Sequence, residues 1–510
     1  MTLPPATSSA PRIGRGTMFA LFLQLLLAAA CATTHIPELA PPLAGTPHGL
    51  TAEQFEQHVL MFNARGKLLD PLSSTSVQAA VSTTGYRELE THEDEESYFQ
   101  RVLDGIRKCQ KANGRVQVLF FFHGGLNSRA AALQRAAKQI VAMRMEPGRP
   151  DLYPVFVNWE TSLPASYKDH LFWVRNGQDT YKSGTLITPF IFTSDLARSV
   201  LDIPIAGYME FKEQQRYREA DPAIGKWRAG VDCQSTPDVR VGSNEQPTWG
   251  MAARGMASSV VMTVLTKWWA GGVLSAAGSS AWSSMLYTSD RLFYSDMELH
   301  HPYDYEGHVG GSGGLSRFFR ELANVLTKSD DVVLVGHSAG AIVINRLIAN
   351  FGTNLPISTL VYMAPACTID EIMDGGRVTQ FLRQGPKASD GQPGRRLYIL
   401  ALNERAEVNE RWHFDMTPRG SLLAWLDEFI QPKHSEFPGM MLGRARNLRL
   451  HAHLIPCDIR PQIAITAFNE DLADRSGEPQ THGAFGDLAY WNVNMWRPEY
   501  PGIKQVTFDK

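Results

Sequence analysis

No two cysteines of this 510-residue chain stand as Cys-x-x-Cys, which removes zinc-ribbon and thioredoxin-like chemistry. A block of lysine and arginine is also missing. With 49 basic and 52 acidic residues the formal net charge is only −3, so there is no clustered basic face and no nucleic-acid partner is expected. The Gly-rich run Gly307–Gly314 follows no strand pattern and carries no Gly-Lys-Ser/Thr, which excludes a phosphate cradle. His300, His301, Asp304, Glu306 and His308 are ligand-type residues, but their spacing matches no helix-borne zinc motif. They are read as an irregular polar loop, and neither a metal nor a cofactor is expected. A long uninterrupted apolar run is absent too. Trp249–Tyr287 is broken by Lys267 and by many Gly and Ser, so it suits packed cap helices, or a lid over a site, better than a bilayer span.

What is present describes a globular protein with 44% hydrophobic and 20% charged residues, long enough for a large core. At the N-terminus Arg12 and Arg15 precede the apolar run Met18–Ala30, which is too short to span a bilayer and has the shape of an export signal. Ala28, Ala29 and Ala30 stand directly before Cys31. The segment resembles a bacterial lipoprotein signal, although Ala28 stands where that pattern more often has Leu. The resemblance implies cleavage after residue 30, acylation of Cys31 and a cell-envelope location, with plain secretion or an uncleaved N-terminal anchor as the alternatives. Residues 31–50, with Pro37, Pro41, Pro42 and Pro47, read as a tether. Cys109, Cys233, Cys367 and Cys457 are left as free thiols or disulfide partners, with three possible connectivities if all four pair.

From residue 51 onward, short apolar runs alternate with helix-like stretches. Val116–Phe122, Tyr153–Trp159, Val332–Val335, Leu360–Met363 and Leu397–Leu402 read as buried strands, with helices at Asn127–Met145, Leu315–Leu326 and Ala339–Asn350. Strand–helix–strand alternation predicts an α/β fold: a doubly wound, mostly parallel sheet with helices on both faces. The 179 residues from Trp159 to Ser338 are too many for one crossover, so a large helical insertion or cap is expected at about 163–310.

Two glycine-bearing motifs carry chemistry. The strand Val332–Val335 runs into Gly336-His337-Ser338-Ala339-Gly340 and then a helix. This strand–turn–helix context is the one in which a serine is presented as a nucleophile on a tight turn, with glycine on both sides to avoid collision. A serine hydroxyl also needs a base to take its proton. The second motif is the strand Val118–Phe122 ending in His123-Gly124-Gly125-Leu126. Backbone N–H groups that stabilise a tetrahedral oxyanion are worth about 3–4 kcal/mol each, provided that no side chain blocks them. Gly124 and Gly125 meet that condition, and the hole is assigned to N–H groups of Gly125 or Leu126 together with that of Ala339.

In this order the motifs resemble the α/β-hydrolase superfamily of esterases and lipases, from about Thr51 to the C-terminus apart from the insertion. Leu360–Cys367, Ser421–Leu426 and Thr481–Phe485 further resemble a branch of large bacterial and fungal members. The superfamily order implies that an acid and then a histidine follow the nucleophile. His434, His451, His453 and His482 are available, and His482 in Gln480-Thr481-His482-Gly483 suits a late loop, whereas His451 and His453 alternate with apolar residues as on a strand. For the acid, the stretch after Leu402 offers only glutamates. Glu404 is preferred, with Glu407 and, on another strand end, Asp370 as alternatives.

The expectation is an exported, lipid-anchored serine hydrolase that cleaves a small-molecule or lipid ester through an acyl-enzyme. The same machinery would serve an acyltransferase, and a hydrolase-fold envelope scaffold without turnover is the competing class.

Overall fold

The computed structural model describes residues 50–73, 86–125, 129–146, 148–159, 161, 163–172, 174–175, 178–179, 187–201, 238–240, 274–300, 311–385, 394–410, 420–430, 440–451, 454–468 and 479–491. All of them lie within the unit Pro42–Lys510. The expectations for residues 1–49, including Cys31, and for Leu126, Cys233, His434, His453 and 301–310 fall outside the described residues.

Among the described residues ten strands are formed: β1 (Val59–Met61), β2 (Gln117–Phe122), β3 (Leu152–Asn158), β4 (Val174–Arg175), β5 (Gln178–Asp179), β6 (Asp238–Arg240), β7 (Asp331–His337), β8 (Ile357–Met363), β9 (Arg396–Leu402) and β10 (Ile463–Phe468). Eight of them make one sheet in the order β1-β3-β2-β7-β8-β9-β10-β6, while β4 and β5 form a separate antiparallel pair. Every pairing in the large sheet is parallel. Continuous apolar strands explain this, because β2 is buried from Val118 to Phe122 and β3 along its whole length, as a sheet covered on both faces demands.

The covering helices include α1 (His92–Asn113), α2 (Arg129–Arg144), α3 (Leu163–Phe172), α4 (Ser279–Arg291), α5 (Gly314–Val325) and α6 (Gly340–Phe351). Helix α1 shows how local sequence sets an element. The Thr91 side chain accepts from the Asp94 N–H, three acidic residues occupy the first turn, and Gly114 ends the helix at φ 74°. Tyr98, Phe99, Val102, Leu103 and Ile106 form its buried stripe.

The order of the strands locates the site. From β2 the chain crosses through α2 to β3 on one side, and from β7 it crosses through α6 to β8 on the other. Right-handed crossovers in opposite directions place α2 and α6 on opposite faces and open a crevice between the C-terminal ends of β2 and β7. Phe122 is in register with Gly336, so the segments beginning at His123 and Ser338 leave the sheet side by side.

Two expectations need correction. The insertion is not only a cap, because its segment Asp238–Arg240 is the edge strand of the main sheet, paired with Ala464–Thr466. His451 ends a helix, Ala445–His451, rather than lying on a strand. Ala445 and Leu448 are buried one helical turn apart, and that 3–4 spacing prevails over the apparent alternation. Of the cysteines, Cys109 and Cys367 are free and Cys457 is disulfide-bonded. No described helix is long and apolar enough to cross a membrane.

Candidate active site

Ser338 has φ 52°, a left-handed conformation that costs a non-glycine residue about 1–3 kcal/mol and persists only where its surroundings enforce it. The end of β8 does so. The Ser338 N–H donates to the Met363 carbonyl at 2.8 Å, and the Ser338 carbonyl accepts from Ala366 N–H at 3.0 Å. Glycine is required at Gly340 because a Cβ there would lie 2.1 Å from the Phe122 carbonyl oxygen; at Gly336 it would meet the Ala341 nitrogen at 2.8 Å. The turn is therefore sharp, its serine strained and its flanking glycines sterically required.

The loop after β2 lies against that turn. A Cβ on Gly124 would stand 2.7 Å from the Ser338 Cβ, so glycine lets this backbone approach the serine. The Gly124 carbonyl accepts from His123 Nδ1 at 2.9 Å and from the Thr161 hydroxyl at 3.0 Å. Burial first of all holds the His123 pKa down to about 4, so the ring is neutral; it donates through Nδ1 and accepts the Trp159 N–H at Nε2, 3.1 Å away. Because a trans peptide points its N–H opposite to its C=O, fixing the Gly124 carbonyl aims the Gly125 N–H the other way. Thr161 and Trp159 are positioning partners that no local sequence pattern marks. The Ser338 N–H is engaged by Met363, whereas the next N–H, that of Ala339, caps the N-terminus of α6, where helix amides lack an intrahelical acceptor. Of the expected oxyanion donors, Ala339 stands at the N-terminus of α6 and Gly125 in the loop after β2, while Leu126 lies outside the described residues.

The late histidine reaches the same place. His482 begins a 3-10 turn, His482–Asp487, and its ring centroid is 5.3 Å from that of His337, the neighbour of Ser338. The turn is also held against α2, since Gln139 donates to the Gly486 carbonyl at 2.6 Å. His482 Nδ1 stands 3.6 Å from Glu407 Oε1, with Glu407 wholly buried. Burial disfavours the charged imidazole, but contact with Glu407 and the charges of Glu407 and Glu410 outweigh it and hold the His482 pKa above its ordinary 6.5.

The preferred acid is thereby corrected. Glu404 and Glu407 both lie on the short helix α7 (Glu404–Asn409), one turn apart. Glu404 is turned to Arg444, whose other arm bonds Asp427 at 2.8 Å. Burial opposes ionisation of Glu404, yet Arg444 and Arg446 outweigh it and keep its pKa below the ordinary value. Asp427 is itself fixed by the Met441 N–H at 2.6 Å and by Asn447 at 2.9 Å. Glu404 is therefore part of a buried ionic tie between α7 and the segment around Arg444, and Glu407 is the carboxylate at His482. Asp370, in the short turn after β8, accepts from the Thr368 hydroxyl at 3.2 Å.

Ser338 Oγ, both ring nitrogens of His482 and both oxygens of Glu407 are buried without a hydrogen-bond partner among the described residues. Each such group costs about 1–3 kcal/mol, so leaving five of them on Ser338, His482 and Glu407 marks polar atoms kept for something other than stability. A serine, an imidazole and a carboxylate in that arrangement can carry out nucleophilic acyl transfer. Met285 and Leu422 line the approach at Gly125, 3.7 and 3.5 Å from where its Cβ would be. No cluster of His, Cys, Asp or Glu able to hold a metal occurs among the described residues.

No curated protein and no solved structure matches the chain significantly. Residues 269–480 match the family model described as alpha/beta hydrolase family, a span that contains Ser338 and Glu407 and stops just before His482. With its all-parallel sheet flanked by helices and this match, the chain is a hydrolase-fold protein with the α/β-hydrolase fold.

Proposed function

We propose that this protein is a serine hydrolase that cleaves a carboxylic ester through an acyl-enzyme. Ser338 attacks the carbonyl carbon while His482 Nε2 takes its proton; the Gly125 and Ala339 N–H groups receive the oxyanion. His482 then returns the proton to the leaving alkoxide. In the second half it takes a proton from water, which attacks the acyl carbon and releases acid and free serine. Glu407 keeps Nδ1 protonated and stabilises the imidazolium. The observation that carries this most is that the strained Ser338, His482 packed against the neighbouring His337, and Glu407 beside His482 all keep buried polar atoms without a hydrogen-bond partner among the described residues. The apolar Met285 and Leu422 beside Gly125 favour an uncharged acyl group.

The export signal and Cys31 further suggest an envelope lipoprotein acting on small-molecule or lipid esters. Hydrolysis of short-chain nitrophenyl esters tests the activity. The wild type should turn over and Ser338→Ala should not, and equal rates for the two would overturn the proposal. Mass spectrometry of the mature N-terminus tests the anchor, with an acylated Cys31 as the expected result and an unmodified one as the contrary.

A further inference from the structure

His482 stands at the start of a 3-10 turn, with no regular strand to fix its position. Its two peptide groups are instead gripped by side chains from two other segments. Its N–H donates to Glu410 Oε2 at 3.0 Å. Its carbonyl oxygen lies 3.0 Å from His337 Nε2. A carbonyl only accepts, so that nitrogen must carry the proton. His337 is fully buried, and burial first, then the nearby charges of His482 and Arg135, holds its pKa well below the ordinary value, so the ring is neutral. Its other nitrogen, Nδ1, is buried without a hydrogen-bond partner among the described residues, which leaves the contact with His482 as the hydrogen bond that orients the ring.

The origin of these two side chains matters more than their number. His337 is the residue immediately before Ser338 and the last of β7. Glu410 follows the helix of Glu407 by one residue and lies three beyond Glu407 itself. One grip therefore fixes the His482 backbone relative to the serine and the other fixes it relative to the carboxylate. Resting on the triad proposed above, we infer that His337 and Glu410 are positioning residues that set the spacing of His482 from both of its partners. The requirement is steep, because a displacement of about 1 Å in such a constellation can cost about a hundredfold in rate.

The clamp separates two roles in Glu410. As an acceptor it holds the backbone, and as a charge it adds to Glu407 in favouring the imidazolium. Among the described residues, the other titratable or charged groups at this spot are Glu407, the neutral rings of His337 and His123, and Arg135, whose guanidinium packs against Gly486 of the same turn. Glutamine at 410 keeps the acceptor and removes the charge. Glutamine at 337 retains an amide N–H at the reach of Nε2, and methionine does not.

The test measures kcat, KM and pH profile on a nitrophenyl ester for His337→Met, His337→Gln, Glu410→Ala and Glu410→Gln, with melting curves for each. Methionine and alanine should lower kcat about a hundredfold with little change in KM, and each glutamine should recover at least about tenfold of that loss. Glu410→Gln should also move the acid limb of the profile to lower pH, whereas His337→Gln should leave it in place. Glu410 is only half-buried and is expected to tolerate alanine, so Glu410→Ala carries the test even if His337→Met does not fold. Folded Glu410→Ala with wild-type kcat, or glutamine variants that rescue nothing, would overturn the clamp while the wild type still turns over. A wild type that neither turns over nor reacts with a fluorophosphonate would instead overturn the triad, and the clamp with it.

Discussion

Replacing Glu407 by glutamine should remove the charge that faces the imidazolium while keeping the side chain's volume. At 3.6 Å, and with an effective dielectric constant of about 20, two unit charges interact by about 332/(20 × 3.6), or roughly 4.6 kcal/mol. At about 1.36 kcal/mol per decade, loss of that interaction in the transition state corresponds to a fall of about three decades in kcat. Glu404→Gln should behave differently. It leaves Arg444 buried with one carboxylate partner instead of two, and breaking a buried pair in this way costs about 3–5 kcal/mol of stability. Its folded fraction should nevertheless retain kcat within about tenfold, because the carboxylate at His482 is intact. Ester turnover normalised by fluorophosphonate titration, together with urea unfolding, separates the two effects. A Glu404→Gln enzyme without turnover beside a fully active Glu407→Gln enzyme would refute the assignment.

The same geometry gives three further outcomes. His482 must be neutral to act as base and its pKa is raised, so kcat/KM should fall as pH drops through a value above 6.5, and in Glu407→Gln that limb should move to lower pH; a limb unchanged by the substitution would contradict the coupling. Ser338→Gly should abolish turnover yet raise stability in urea by about 1–2 kcal/mol, since glycine carries no penalty at φ 52°; an unchanged or lower midpoint would speak against strain at this turn. Gly340→Ala places a methyl group 2.1 Å from the Phe122 oxygen and should lower stability by about 3 kcal/mol or more, measured by the same unfolding curves.

The parts of the site that could be read in the sequence are those that local chemistry determines. Ser338 and Gly124–Gly125 lie in glycine-bearing turns that follow continuous apolar strands, and short-range sterics fix both turns. Their adjacency follows from crossover handedness at the β2–β7 switch point. The choice between Glu404 and Glu407 was not local, because the residue that captures Glu404 is Arg444, 40 positions later. Likewise β6 joins β10 across more than two hundred residues, and nothing in Asp238–Arg240 distinguishes it from loop. The holds on the Gly124 carbonyl by Thr161 and on the His482 peptide by His337 and Glu410 are long-range contacts of ordinary polar residues. They become visible only when the sheet brings its C-terminal edge together.

The most direct measurement is peptide mapping of the protein after reaction with a fluorophosphonate. One phosphonylated residue is expected, Ser338, with labelling lost in Ser338→Ala and strongly slowed in His482→Ala. A well-folded wild type that takes no label, or a label on another serine, would contradict it.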